Sequence, residues 1–150
     1  MRWIILILMM MLLPSCRRET AQQSADDFNM REITLPRGEI IKVETMIDTR
    51  DLLRGMMFRT SIATDHGMLF VHSKPGQYSF WMYQMRIPLD TIWLDSGHRI
   101  VEIAENLPPC LTQASKCPHY GGNKTSEFEL QMGGGMAGKY GLQVGDVIQW

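Results

Sequence analysis

The sequence predicts a mainly β fold with little helix, arranged as an antiparallel β-sandwich or a partly closed barrel. Short β-rich runs recur along the chain, and turn signals such as Lys74-Pro75-Gly76 separate them. Only two helical segments are predicted, and neither is long enough to cross over between parallel strands. Parallel βαβ architecture is therefore disfavoured, and the strands are expected to pair mainly with antiparallel neighbours.

The predicted elements begin with a strand at residues 39–46, in which apolar and polar side chains partly alternate. A short helix follows from about Thr49, with Asp48 as its N-cap and Gly55 near its end. The clearest unit is a hairpin, because strands at 89–94 and 99–104 flank the turn Asp95-Ser96-Gly97-His98. The remaining predictions are a second short helix within 133–140 and strands at 67–71, 78–82, 127–130 and 147–150.

The N-terminus has the pattern of a bacterial lipoprotein signal. The apolar run from Trp3 to Leu13 follows one basic residue; it is too short to span a membrane but suits a secretory signal. The ending Leu13-Pro14-Ser15-Cys16 resembles a lipobox, in which the chain is cut before the cysteine and the thiol carries lipid. The alternatives are an ordinary signal peptide with an incidental cysteine, or a buried N-terminal helix.

These observations predict a signal peptide at residues 1–15, a lipidated Cys16 with a flexible polar tether over 16–38, and a single β-rich domain at 39–150. The expected location is the membrane surface of the cell envelope, facing the periplasm in a diderm and the exterior in a monoderm. The formal net charge is −1, and it becomes −2 once Arg2 is removed with the signal. This charge balance gives no electrostatic basis for nucleic-acid binding.

Cys110 and Cys117 lie seven positions apart in the segment PPCLTQASKCPHY. In an oxidising compartment an even pair of cysteines predicts a disulfide. Two alternatives remain open: a zinc site with His119 as a third ligand, and a reactive or redox-switching pair. No cofactor and no metal is predicted.

Several methionines could form a soft ligand set for Cu(I), with His66 and Trp81 nearby in the sequence. Methionine also fills irregular cores and packs against aromatic rings, and this interpretation is favoured. The methionines concerned are Met56, Met57, Met68, Met82 and Met85.

Charged residues embedded among apolar ones are the more informative candidates. Arg59, Arg86 and Asp90 each adjoin apolar side chains, and a buried lone charge has to pair or reach water. Asp90 could form an ion pair with an arginine and brace the loop before Pro88, or it could be an acid or base in a cleft. His66 beside Asp65 could likewise be an acid–base pair, although a solvated turn is favoured.

Four motifs occur together and in order: GMMFR at 55–59, HGMLF at 66–70, FWM at 80–82 with IPLD at 87–90, and GLQVGD at 141–146. With them the chain resembles, over residues 39–150, the bacterial and archaeal family catalogued as domain of unknown function 192. The resemblance implies a compact, mainly β fold, often exported or lipid-anchored, with no established activity. It also implies a polar triplet after FWM. This chain departs from that pattern with Tyr83-Gln84-Met85, so its choice of ligand could differ from that of the family.

The predicted function is a lipid-anchored extracytoplasmic domain that binds a small molecule, a peptide or an envelope protein. The predicted ligand surface consists of Arg59, His66, Trp81, Met82 and Asp90. Familiar catalytic motifs are missing from the sequence, so no catalytic residue is assigned and a non-enzymatic role is favoured. Two alternatives remain: an envelope enzyme with hydrolase-like acid–base chemistry at Asp90 and His66, and a structural or assembly lipoprotein without a ligand site.

Overall fold

A computed structural model of the chain describes residues 29–150. The predicted signal peptide, the lipidated Cys16 and most of the predicted tether therefore lie outside the described residues. Within 29–150 there is no helix that combines the length and the apolar character needed to cross a membrane.

One open sheet of six strands, in the order β1-β2-β3-β8-β5-β6, forms the centre of the molecule, and β4 and β7 pair separately as a small second sheet. The predicted mainly β fold with two short helices is confirmed, as a sandwich-like arrangement rather than a closed barrel. The elements are β1 Met30–Thr34, β2 Ile40–Met46, α1 Thr49–Arg54, β3 His66–Gly76, β4 Phe80–Trp81, β5 Leu89–Leu94, β6 Ile100–Leu107, β7 His119–Tyr120, β8 Ser126–Gly133 and α2 Met136–Tyr140.

The pairing of β2 with β3 is parallel, with Val43 opposite Gly67, whereas the other pairs of the large sheet are antiparallel. The sheet is mainly antiparallel, as expected, and this parallel pair is the exception. A parallel connection needs a dozen or more residues but not one long helix. Here the irregular residues 55–65 supplement α1 and carry the chain back to the start of the next strand.

Both ends of the domain differ from the sequence prediction. β1 lies inside the segment predicted as tether, so the sheet begins at Met30 rather than at residue 39. The predicted strand at 147–150 is wrong, because this segment makes only isolated bridges, Arg99 with Val147 and Thr34 with Gln149. The predicted hairpin is confirmed, and Asp95 Oδ1 accepts hydrogen bonds from the backbone nitrogens of Gly97 and Arg99.

The large sheet buries both of its faces, each against a different part of the chain. On the first face, Ile41, Leu69 and Leu130 pack with Ala137 of α2 and with Ile148 near the C-terminus. Because side chains alternate along a strand, the neighbouring positions of β3 and β8 point to the second face. That second face carries Met68 and Phe70 and is covered by the segments around residues 52–62 and 80–87.

The loops over the second face are held by specific contacts. Trp93 Nε1 donates to the backbone oxygen of Tyr78 at 2.7 Å, which ties the loop before β4 to the sheet. A disulfide joins Cys110 to Cys117, as predicted, and the zinc alternative is wrong because the two sulfurs bond each other. Cys110 also donates its backbone N–H to Met82 at 2.9 Å, so the disulfide loop is attached to the chain that follows β4.

Candidate functional site

Two adjoining cavities lie on the second face of the sheet, on either side of the segment Arg54–Met57. The wide cleft has a volume of about 670 Å³ and extends towards β1 and β2. The narrow pocket has a volume of about 190 Å³ and extends towards β4. Arg54, Gly55 and Met57 line both cavities, so this short segment forms the wall between them.

Unusual backbone geometry shapes the dividing segment. Gly55 has a φ of 44°, and a Cβ there would lie 3.0 Å from the ring of Phe70, so glycine permits a close approach to the sheet. Phe58 has a φ of 67°, which is uncommon for a bulky side chain. Its backbone N–H donates to the backbone oxygen of Gln84 at 3.0 Å, which links the wall to the segment after β4. Gln84 therefore contributes through its backbone here, within the triplet that departs from the family pattern.

The wide cleft has a polar wall built on a bidentate ion pair. The guanidinium nitrogens Nη1 and Nη2 of Arg59 each donate to a carboxylate oxygen of Glu44, both at 2.5 Å. His66 lines the same cleft, and its Nδ1 lies 2.8 Å from Asp65 Oδ1. This hydrogen bond from His66 is the main cause that lowers the pKa of the exposed Asp65 carboxyl. Phe58 adds an apolar side chain that is half exposed at this cleft.

The narrow pocket is built mainly from aromatic and aliphatic side chains. Phe70 comes from β3, Phe80 and Trp81 form β4, and Tyr78 lies on the loop between these strands. The Trp81 ring lies between two neighbours, with centroid distances of 5.2 Å to Tyr83 and 5.6 Å to His119. Two ionisable side chains, His72 and Glu129, complete the lining together with Arg54.

Glu129 is the most perturbed group of the narrow pocket. It lies on β8 between Phe70 of β3 and Trp93 of β5, and its side chain is only 4 % exposed. Gln131 Nε2 donates to Glu129 Oε1 at 2.7 Å. Burial raises the pKa of this carboxyl to about 7, although the hydrogen bond from Gln131 acts in the opposite direction.

His72 is held in place by stacking rather than by hydrogen bonds. Its ring is stacked on Tyr78 at a centroid distance of 3.6 Å, and Tyr78 in turn donates its hydroxyl to the backbone oxygen of Lys74. Within residues 29–150 the buried Nε2 of His72 has no hydrogen-bond partner. Burial lowers the pKa of His72, so its imidazole is neutral at pH 7 and adds no positive charge to the pocket.

The structure does not bring the five predicted ligand-binding residues together. Arg59 and His66 line the wide cleft, and Trp81 lines the narrow pocket. Met82 is fully buried in the core cluster of the second face. Met82 lies just after the end of β4, and its side chain packs in the core rather than beside Trp81 in the pocket.

Asp90 lies on the first face of the sheet, away from both cavities, and is fully buried. Its Oδ1 accepts hydrogen bonds from the backbone nitrogens of Asn106 and Gly135, and its Oδ2 accepts one from Ala137 at 2.7 Å. The expected ion pair with an arginine is wrong, because backbone N–H groups at the start of α2 surround this carboxylate instead. Asp90 therefore orients the Gly-rich turn that leads into α2, and it does not face a ligand cavity.

The methionines proposed as soft ligands belong mainly to the core. Met56, Met68, Met82 and Met85 are buried in one cluster with Phe70. Met57 is partly buried and lines both cavities. Packing of the second face explains the four buried side chains, as the favoured interpretation predicted.

Sequence reasoning missed Glu129 and His72. The run Glu127-Phe128-Glu129-Leu130 puts two charged residues on one face of a strand, but a buried carboxylate and a solvated one give the same alternation. In the structure, the face that Glu129 occupies is covered by β4 and by the wall segment. A buried carboxylate is distinguished from a solvated one only by the residues from elsewhere in the chain that cover this face.

Comparison with known families assigns this domain. The model of the family DUF192, described as "Uncharacterized ACR", matches residues 32–150. The chain belongs to DUF192. The match begins within β1, which agrees with a domain that starts before residue 39.

Two solved structures resemble this DUF192 chain. One is a protein of unknown function from Novosphingobium aromaticivorans, with 27 % identity and a TM-score of 0.71, covering 81 % of this chain and 85 % of its own. The other is described as a putative transcription regulator from Sinorhizobium meliloti, with 26 % identity and a TM-score of 0.67, covering 79 % of this chain and 89 % of its own. Comparison with curated proteins finds no match.

Proposed function

We propose that this DUF192 chain is a lipid-anchored protein of the cell envelope that binds a small molecule or a short peptide in the wide cleft. The observation that carries the proposal is the wide cleft itself, a cavity of about 670 Å³ with the preformed Arg59–Glu44 pair in its wall. This volume lies within the range of about 300–1,000 Å³ that is typical of ligand sites.

The chemistry of the wide cleft supports a ligand with both polar and apolar groups. Glu44 fixes the guanidinium of Arg59 through two hydrogen bonds, so this planar group is oriented before any ligand arrives. His66 adds a ring nitrogen, and Phe58 and Met57 add apolar surface beside it. A carboxylate or phosphate group on the ligand would meet the guanidinium groups of Arg54 and Arg59 here, and an apolar portion would contact Phe58.

The sequence supports the envelope location. The apolar run from Trp3 to Leu13 and the Leu13-Pro14-Ser15-Cys16 ending are typical of a lipoprotein signal. The Cys110–Cys117 disulfide fits an oxidising compartment outside the cytoplasm. Lipid on Cys16 would hold the domain at the membrane surface, with the polar residues up to Asn29 as the spacer.

Native mass spectrometry of the chain purified from its own envelope tests the proposal. The expected result is a retained mass on the wild-type protein that disappears in an Arg59→Gln variant. An Arg99→Gln variant is the matched control, because Arg99 is exposed at the β5–β6 turn and lines neither cavity. The proposal is contradicted if the wild-type protein carries no bound mass, or if both variants retain that mass equally.

A further inference from the structure

We infer that the narrow pocket is a binding site for a methylated ammonium group, with the cation beside the Glu129 carboxylate and against the aromatic walls. This inference goes beyond the proposed function, because it concerns the other cavity and does not depend on Arg59. It assigns a ligand chemistry to Glu129, Trp81 and the rings around them.

The first argument is a buried carboxyl group without a cationic partner. Glu129 is only 4 % exposed, and in the described part of the chain no lysine, arginine or histidine nitrogen lies within 4.0 Å of its oxygens. Gln131 supplies one neutral hydrogen bond, to Oε1. A buried acid is normally paired, since an isolated buried charge is strongly unfavourable. A ligand cation would supply the missing partner.

The second argument is the aromatic character of the walls. Phe70, Tyr78, Phe80 and Trp81 line the same small pocket as Glu129. The face of an aromatic ring attracts a cation electrostatically, and such cages are a common way to recognise quaternary ammonium groups. Aromatic walls and a single carboxylate together favour a cation over a neutral apolar ligand.

The size and hydrogen-bonding capacity of the pocket narrow the ligand further. A volume of about 190 Å³ is below the range of drug-sized sites, so the pocket suits a headgroup rather than a large molecule. A primary ammonium would bring three N–H donors that need acceptors, but Glu129 is the single carboxylate among the described residues that line the pocket. A methylated ammonium has few or no N–H groups to satisfy, and its methyl groups pack against the rings.

Other ionisable groups at the pocket do not remove the negative charge. Arg54 lines the pocket but is exposed and does not lie within 4.0 Å of the Glu129 oxygens, and burial lowers the pKa of His72, which favours its neutral form at pH 7. Tyr78 donates its hydroxyl to the backbone of Lys74. Glu129 is therefore the group whose ionisation controls the binding of a cation in this pocket.

Calorimetric titration of the chain in a neutral detergent tests the inference, with choline and its neutral carbon isostere 3,3-dimethylbutan-1-ol as probes. At pH 8 choline is expected to bind. The isostere is expected to bind at least about tenfold more weakly, because only the choline cation gains the charge-assisted contact with the Glu129 carboxylate. Trp81→Leu, which keeps an apolar side chain but removes the indole, is expected to weaken choline about three- to thirtyfold.

Glu129→Gln is the decisive variant, because it keeps the shape and the contact with Gln131 but removes the charge. Choline affinity is expected to fall about tenfold or more. Glu105→Gln, an exposed position on β6, makes the same change in net charge and is expected to have no effect. Thermal unfolding of each variant, without ligand, shows whether a loss of binding reflects a loss of fold.

The pH dependence supplies an independent readout. Because the pKa of Glu129 is about 7, choline affinity is expected to rise about tenfold between pH 6 and pH 8 in the wild-type protein and to stay flat in Glu129→Gln. Equal binding of choline and the neutral isostere overturns the inference, as does unchanged choline affinity in folded Glu129→Gln. Tighter binding of methylammonium than of choline also overturns it, and none of these results bears on the Arg59 cleft.

Discussion

At the scale of single residues, two buried carboxyl groups of neighbouring strands have opposite environments. Asp90 on β5 accepts three hydrogen bonds from backbone N–H groups. Glu129 on β8 accepts one from the Gln131 amide, and burial raises its pKa to about 7. The first is satisfied by the fold itself and is structural. The second is left with unused acceptor capacity in a cavity, and a perturbed ionisable group in a cleft is a candidate functional group.

Replacing Asp90 with alanine is expected to lower the free energy of unfolding by about 3 kcal/mol, because three backbone donors, one of them buried, lose their charged acceptor. Urea unfolding followed by fluorescence measures this loss. Asp65→Ala is the control, since Asp65 is exposed and its carboxylate bonds the neighbouring His66 side chain, and it is expected to change stability by less than about 1 kcal/mol. A comparably small effect at Asp90 would show that the backbone contacts do not hold α2 in place.

At the scale of elements, the connection between the parallel strands β2 and β3 creates the site. α1 and residues 55–65 cross over the second face and leave a cavity on each side of Arg54–Met57. β4 then lines the narrow pocket, and the hydrogen bond from the Cys110 N–H to the Met82 backbone oxygen attaches the disulfide loop to the chain that follows β4. Arg59 and His66 lie in one cavity and Trp81 in the other because different elements supply each wall, whereas Met82 and Asp90 line neither.

Removing the disulfide is expected to destabilise the domain. In the chain-entropy model, closing a loop of this length contributes about 2.5 kcal/mol, so the free energy of unfolding of a Cys110→Ser/Cys117→Ser double variant, measured in urea, should be lower by that amount. Reducing agent should lower the free energy of unfolding of the wild-type protein to that of the variant and should not change the stability of the variant. Stoichiometric thiol labelling of both positions in folded, non-reduced protein would contradict the bridge.

At the scale of the whole molecule, the domain presents the second-face cavities on one side of the sheet and buries the opposite face under α2 and the C-terminal residues. Exposed apolar side chains border the cavities, with Phe58 at the wide cleft and Leu53 at the narrow pocket. Such side chains at the entrance of a cavity provide contact surface for a ligand or a partner.

Replacing Cys16 with serine is expected to abolish membrane anchoring, because the thiol that would carry lipid is gone. Intact mass analysis should show acyl groups on the wild-type protein and none on the variant, and fractionation should show the corresponding loss of the processed membrane form. Ser15→Ala keeps a small residue before the cut and should behave as wild type. A variant at Cys16 that still carries lipid would contradict the proposal that Cys16 is the lipidated residue.

The sequence by itself determined the class of fold, the hairpin around Asp95 and the disulfide, because these depend on local alternation, turn chemistry and compartment. Its motifs also identified the family. The parallel crossover and the start of the sheet at Met30 were missed, since neither has a local signal that separates it from a loop or a tether.

Only the tertiary structure decided which candidate residues form a site. Asp90 and Glu129 are both carboxylates among apolar neighbours in the sequence. They differ in the segments that pack against each carboxylate. Backbone N–H groups at the start of α2 bind Asp90, whereas an aromatic pocket lies beside Glu129. Burial and hydrogen bonding by distant segments set the chemistry of an ionisable group, and this information appears only when those segments meet.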